Sequence, residues 1–413
     1  MKKSIFLAAL VLVGAGCFAQ KANVSKARGL ADAETPDFAG ARTAITAALQ
    51  NDETKNQAGT WYVAGLIGYK ESEAEKMKMY MGQQFNAAVA AKAIMESLNY
   101  WEKAYELTQV PTYDKKGNAK YDTKTPKNIA PKVKEYFDNQ ILLVAGNDAA
   151  NENRMSEAYD LYVAHLNLPE SPMVKVLEAP LLCDTTYYAF MCQAGIYAYE
   201  AGRHAEAIAT LQKLNSEKAQ GIAARKVMIY ANQYIYQIQI EQKDTTAAVA
   251  TLEASIKMFP EDSWFMQNMI NLYINSGEEE KAVEYLDLAI QREPNVGQYY
   301  NSKGSILALI GRFDEAFAAF EKALELEPNN ATFYTTYGGA YINKGNKLNE
   351  DATYLDNKAY QAAKVDIDAA YTQALKYIEK AYELDPENYE VKRDLRSLYY
   401  RLGMNDKYEA LAD

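Results

Sequence analysis

The C-terminal half of the chain alternates apolar and polar positions with a helical period. In residues 263–295, Phe265, Met269, Leu272 and Tyr273 fall three, four and seven residues apart, one face of a helix. Gly277 closes that run, as glycine commonly does past a helix end. A second stripe follows at Ala282, Leu286, Ala289 and Ile290, and Pro294 ends it because proline cannot continue a helix. The segment reads as a hairpin of two helices.

The hairpin recurs. Pro260, Pro294 and Pro328 are 34 residues apart, as are Gly277, Gly311 and Gly345. Ala282 and Ala316, Leu286 and Phe320, and Ala289 and Ala323 keep the same step. The step then becomes 58 for Pro328 to Pro386, Ala316 to Ala374, Ala323 to Ala381 and Gly345 to Gly403, so one repeat carries an insertion between Gly345 and Ala374. A fixed period of this size marks a stack of hairpins, each burying its apolar stripe on its neighbours. Asp262, Asn330 and Asn388 suit the N-caps of first helices. Ala316, Ala323 and Gly304 let backbones approach, and Phe320 fills the space between units.

These columns resemble the tetratricopeptide repeat. Tyr300, Gly304, Ala316, Phe320, Ala323 and Pro328 match its signature in one unit, and Tyr334, Gly338, Tyr341, Ala374, Ala381 and Pro386 in the next. The match covers about 188–413. Upstream it loosens: residues 61–65, WYVAG, are similar to the start of a first helix, Trp101 and Ala104 to a second helix, and Ala158 and Tyr162 to another. The resemblance implies an all-α fold, a right-handed α-α superhelix. Degenerate helical repeats would occupy 20–175 and the regular array 176–413.

Two segments interrupt the pattern. Residues 111–128 hold Gly117-Asn118 between tyrosines and predict a protruding hairpin or loop. Asp114, Asn118 and Asp122 lack the spacing of an ordered calcium loop and suit a solvated turn better. The insertion near 346–370 turns helical by Tyr360 and predicts a projecting arm built on both helices of its unit.

Composition narrows the function. The net charge is −11 with no stripe of Lys or Arg, which disfavours nucleic acid and anionic membranes as partners. Residues 1–19 read as an export signal: Lys2 and Lys3, an apolar centre, then small residues at Cys17 and Ala19. Cleavage after Ala19 gives a periplasmic chain starting at Gln20. The alternative is a lipid anchor on Cys17, though Gly14 stands where such signals favour leucine. No later stretch reaches the length of a membrane span. Cys183 and Cys192, if one helix joins them, stand about 13 Å apart, too far for a disulfide, so two separate thiols are expected.

Catalytic signals are sparse. His165 reads as packed and His204 as solvated, and no His-Cys cluster, phosphate-binding loop or nucleophile elbow is present. No enzyme, cofactor or metal is expected. Many of the 33 tyrosines fall in repeat columns, which favours packing over a sugar-stacking surface.

The resemblance implies that first helices line a concave groove for a peptide or protein. Its positions here would be Gln233, Gln237, Gln267, Asn271, Asn275, Asn301, Ser305, Thr335 and Asn343. Amides and hydroxyls both donate and accept, which suits an extended backbone; a polar inner surface without a ligand is the competing reading. The Lys/Arg clamp that chaperone co-factors of this family use for a carboxylate is missing, Arg393 alone not forming one. Asn271, Asn301 and Thr335 are expected near the centre. The function expected is a non-enzymatic scaffold of the cell envelope, the alternative a glycan-capture protein or lipoprotein of the outer membrane.

Overall fold

A computed structural model describes residues 21–411. The expected export signal, Cys17 and Gln20 lie outside the described residues. The fold is all-α, of the helical-repeat class, and divides into two compact units, one ending at Ala248 and one beginning at Val249.

In the first unit, α1 covers 21–31, followed by α2 (Phe38–Gln50), α3 (Ala58–Tyr80) and α4 (Ala87–Thr108). The strands β1 (Thr112–Tyr113) and β2 (Ala119–Lys120) pair antiparallel, Thr112 opposite Lys120 and Tyr113 opposite Ala119. Then come α5 (Lys124–Asn139), α6 (Ile141–Asn151), α7 (Met155–Leu166), α8 (Thr185–Glu200), α9 (His204–Gln212), α10 (Glu217–Gln220) and α11 (Arg225–Glu241). The long pair α3–α4 is held by Trp101, wholly buried, which stacks near Tyr136 and donates its indole N–H to the Tyr62 carbonyl at 3.1 Å. In the hairpin, Asp114 accepts from the backbone N–H groups of Lys116 and Asn118, and Gly117 takes a φ of 81°. Asp122 accepts from the N–H groups of Lys124 and Thr125 at the start of α5. Both carboxylates therefore organise local backbone. Cys183 and Cys192 are free thiols, and burial pushes Cys192 up to about 11. His165 is buried, stacked on Phe137 with ring centroids 4.8 Å apart; His204 is half-buried beside Tyr199.

Helix α12 (Thr245–Met258) leads across the division. The second unit then contains α13 (Ser263–Ser276), α14 (Glu279–Arg292), α15 (Gly297–Leu309), α16 (Phe313–Leu326), α17 (Ala331–Ala352), α18 (Asn357–Leu384), α19 (Tyr389–Arg401) and α20 (Asn405–Ala410). Odd-numbered helices are the first members of each hairpin and even-numbered helices the second. Asp262, Asn330 and Asn388 accept from the first free N–H groups of α13, α17 and α19, the capping read from the sequence. The small-residue columns also sit as expected. Ala316 and Ala323 are fully buried, and a Cβ on Gly304 would lie 2.9 Å from the Phe320 ring. Phe320 in turn stacks on Tyr337 of the next hairpin, centroids 5.1 Å apart.

One glycine column splits. Gly277, Gly311 and Gly403 have φ of 70°, 81° and 71° and end their helices. Gly345 does not: α17 runs through it to Ala352. Its lost side chain instead admits Tyr371 of α18, whose Cε1 would be 2.7 Å from a Cβ there. The insertion continues both helices, and the pair α17–α18 packs on Ile367, Tyr371 and Ala352, all buried.

Candidate partner-binding face

The repeat step decides which side chains share a column on the first helices of the second unit. Gln267, Asn301 and Thr335 are equivalent, as are Asn271, Ser305 and Gly339, and Asn275, Leu309 and Asn343. Asn271 and Asn301, expected together at the centre, therefore belong to different columns.

Helix α13 carries the clearest polar face. Gln267, Asn271 and Asn275 are four residues apart and all exposed, so they stand above one another on one side of the helix. On α15 the face is spent internally. Asn301 is only 4% exposed, and its carboxamide oxygen accepts from the Thr336 hydroxyl of α17. It tethers two first helices and is not displayed to a partner, a correction to its expected central place. Ser305, half-buried, donates to the Asn301 carbonyl at 3.0 Å, and Thr335, half-buried, donates to the Ala331 carbonyl at 2.9 Å. Asn343 on α17 is exposed. In the first unit, Gln237 is exposed and donates to Glu241 at 2.8 Å, while Gln233 is half-buried.

Sequence reasoning missed the apolar members of the same face. Ile274 is exposed beside Asn275, and Leu309 is 68% exposed in the column of Asn275 and Asn343. It also missed the end of the array. The step of 58 carries Thr335 to Arg393, Gly339 to Ser397 and Ile342 to Tyr400, so α19 continues the face with cationic and aromatic groups. Together α19 and α20 form a cleft of about 500 Å³ lined by Tyr389, Lys392, Arg393, Arg396, Tyr400 and Tyr408 among others. Tyr389 and Tyr400 are 77% and 69% exposed. The Arg396 guanidinium lies 4.6 Å from the Tyr408 ring centre, a cation–π contact, and its Nε is buried without a hydrogen-bond partner. Arg393 donates twice to Asp394, at 3.0 and 3.1 Å, which holds its pKa above the ordinary arginine value. The signal was available in the basic residues spaced three and four apart on one predicted helix; weighing Arg393 alone hid it.

The chemistry on offer is thus hydrogen bonding at α13, apolar contact at Ile274 and Leu309, and a cationic aromatic hollow at α19–α20. Among the described residues, no group of three His, Cys, Asp or Glu side chains is placed to hold a metal ion, and no helix is long and apolar enough to cross a membrane.

Two family descriptions match, both named tetratricopeptide repeat, over residues 239–306 and 297–330. Similar solved structures include MamA from Desulfovibrio magneticus RS-1, 20% identical with a TM-score of 0.33, covering 44% of this chain and 87% of that one. A TPR repeats protein from Bacteroides fragilis NCTC 9343 is 19% identical with a TM-score of 0.32, covering 64% and 98%. YrrB, described as a TPR protein with an unusual peptide-binding site, is 17% identical with a TM-score of 0.33, covering 50% and 89%. No curated protein sequence matches the chain.

Proposed function

We propose that this chain, which carries tetratricopeptide repeats over residues 239–330, is a protein-interaction scaffold: a non-enzymatic adaptor of the bacterial cell envelope that holds an extended protein segment along the first helices of its second unit. The observation that carries the reading is the exposed amide row Gln267, Asn271 and Asn275, with Ile274 and Leu309 beside it. Amides pair with a peptide backbone whatever its side chains, and the two apolar residues take one or two side chains of the guest. Each hydrogen bond contributes about 0.5–1.5 kcal/mol net, so single truncations on this row are mild.

A double substitution, Asn271→Arg with Asn275→Arg, puts two long cations on exposed positions without touching the buried Asn301. Partners are captured from the cell envelope with the wild-type chain by crosslinking and identified. Each purified partner is then titrated against both forms, with circular dichroism confirming equal helix content. The double variant binds at least about tenfold more weakly, a loss of roughly 1.4 kcal/mol. Equal binding by both forms refutes the α13 face as the site.

Export is part of the proposal. The mature chain starts at Gln20, carries no lipid and sits in the periplasm, which intact mass and cell fractionation test together. A mature chain that starts at a lipidated Cys17 supports the alternative of glycan capture at the outer membrane. That alternative has one structural support: Tyr113 and Tyr121 are exposed on the hairpin, and Tyr121 lines an 840 Å³ cleft with Asn56 and Gln57.

A further inference from the structure

We propose that copies of this chain associate head to tail, the tip of the α17–α18 arm of one copy seating in the α19–α20 cleft of the next. The inference rests on the arm and the cleft, and not on the amide row of α13.

The arm is a firm support with an unsatisfied end. Along its length Ala352, Ile367 and Tyr371 are buried between its two helices. At the turn joining them, Tyr354 is 94% exposed and Leu355 is exposed next to it. Glu350, Asp351 and Asp356 surround this apolar pair, all exposed; Asp351 also pairs with Lys347 at 3.4 Å, and one Asp356 oxygen caps α18. A tyrosine held out into water on a well-packed helical pair gains nothing for the fold that presents it, since aromatic side chains contribute by burial.

The cleft has the opposite sign. In a chain of net charge −11, it gathers Lys392, Arg393 and Arg396 around tyrosine rings. Its 500 Å³ accommodates an aromatic side chain with a neighbouring aliphatic one. Tyr389 and Tyr400 offer ring faces to Tyr354 and Leu355, and the cations face the carboxylates flanking that pair. Charge and polarity match at both levels, the centre apolar and the rim ionic, the usual anatomy of a specific interface. Tyr354 is not in the cleft of its own chain, because it is almost fully exposed. Arm tip and cleft are different surfaces, so the contact is heterologous: a single contact leaves a free tip on one copy and a free cleft on the other, and association proceeds to a closed ring or an open row.

The test uses the full chain in analytical ultracentrifugation between about 1 and 100 μM. The wild type shows mass rising with concentration, and the association weakens by about tenfold or more in roughly 0.5 M salt because the rim pairs are screened. Two variants separate the halves: Tyr354→Ser removes the tip, and Arg393→Glu with Tyr400→Ser disables the cleft at exposed positions. Each variant alone is monomeric. Mixed in equal amounts they form one-to-one dimers and nothing larger, since one keeps its cleft and the other its tip. A wild type that stays monomeric to the top of the range overturns the proposal. So does association that survives in either variant, or a mixture that stays monomeric.

Discussion

Gly338 and Gly339 are consecutive residues of α17, yet an alanine at each should act in opposite directions. A Cβ on Gly338 would lie 2.6 Å from both Cδ1 and Cγ1 of Ile378 and 3.3 Å from the Ala374 carbonyl oxygen. A Cβ on Gly339 would meet nothing within 4 Å. Both substitutions gain the same helix-propensity term, about 0.8–1 kcal/mol, and both reduce unfolded-chain freedom alike. The difference between them is therefore a tertiary term. Carbon atoms prefer about 3.5–4.0 Å, so Gly338→Ala must move α18 away from α17 or turn Ile378 off its rotamer. Ile378 is fully buried and has little room to turn. Overpacking of this kind costs about 1–3 kcal/mol. Gly338→Ala should then lie between neutral and about 2 kcal/mol destabilising, while Gly339→Ala stabilises by up to about 1 kcal/mol. In a unit of this size each kcal/mol moves the midpoint by about 2–4 °C, so the two melts separate by several degrees. Circular dichroism melts measure the gap, and hydrogen exchange over 331–352 locates it. If Gly338→Ala melts at or above Gly339→Ala, the close approach of α17 and α18 is not what the glycine column serves.

Other consequences are equally direct. Burial lowers His165 to about 4 from an ordinary 6.5, so the unfolded chain binds the extra proton and stability falls as pH drops from 6.5 towards 4. Between pH 7 and pH 5 the loss from this group is about 2 kcal/mol; comparing urea midpoints of wild type and His165→Phe at the two pH values isolates it, and an unchanged pH dependence in the variant refutes the assignment. Thr336→Val leaves the buried Asn301 carboxamide without its hydroxyl partner and should cost about 1–3 kcal/mol, with Thr336→Ser restoring most of it in the same denaturation assay.

The repeat was legible because its signals are steric. Alanine and glycine columns mark where backbones approach, and those distances do not depend on anything outside the hairpin, so Ala316, Ala323 and Gly304 could be placed from spacing alone. Gly345 shows the limit. Glycine serves either a positive φ or a close approach, and one sequence position cannot say which. Here the inserted residues continue the helix, so the same column that ends α13 at Gly277 admits Tyr371 at Gly345. Asn301 failed for a related reason: an amide is equally suited to a surface and to a paired buried site, and the partner that decides, Thr336, is 35 residues away. The α19–α20 cleft escaped because Arg393 was weighed apart from Lys392 and Arg396 on the same helix, and because Tyr408 of α20 meets Arg396 only once the last hairpin has folded.

The two proposed surfaces differ in the physics of recognition, and that difference separates them experimentally. Gln267, Asn271 and Asn275 carry no charge, so a segment held there feels no long-range attraction and its affinity should hardly change between low and high salt. Lys392, Arg393 and Arg396 facing Glu350, Asp351 and Asp356 act over several ångströms and are screened within about 8–10 Å at ordinary ionic strength. Partner capture that survives salt, together with self-association that does not, assigns each activity to its own surface in one preparation. Salt-sensitive partner capture instead places the partner on the α19–α20 cleft, where it would compete with the arm tip of another copy. In that case Tyr354→Ser, which frees the cleft, should strengthen partner binding, and Arg393→Glu with Tyr400→Ser should abolish it while Asn271→Arg with Asn275→Arg leaves it intact.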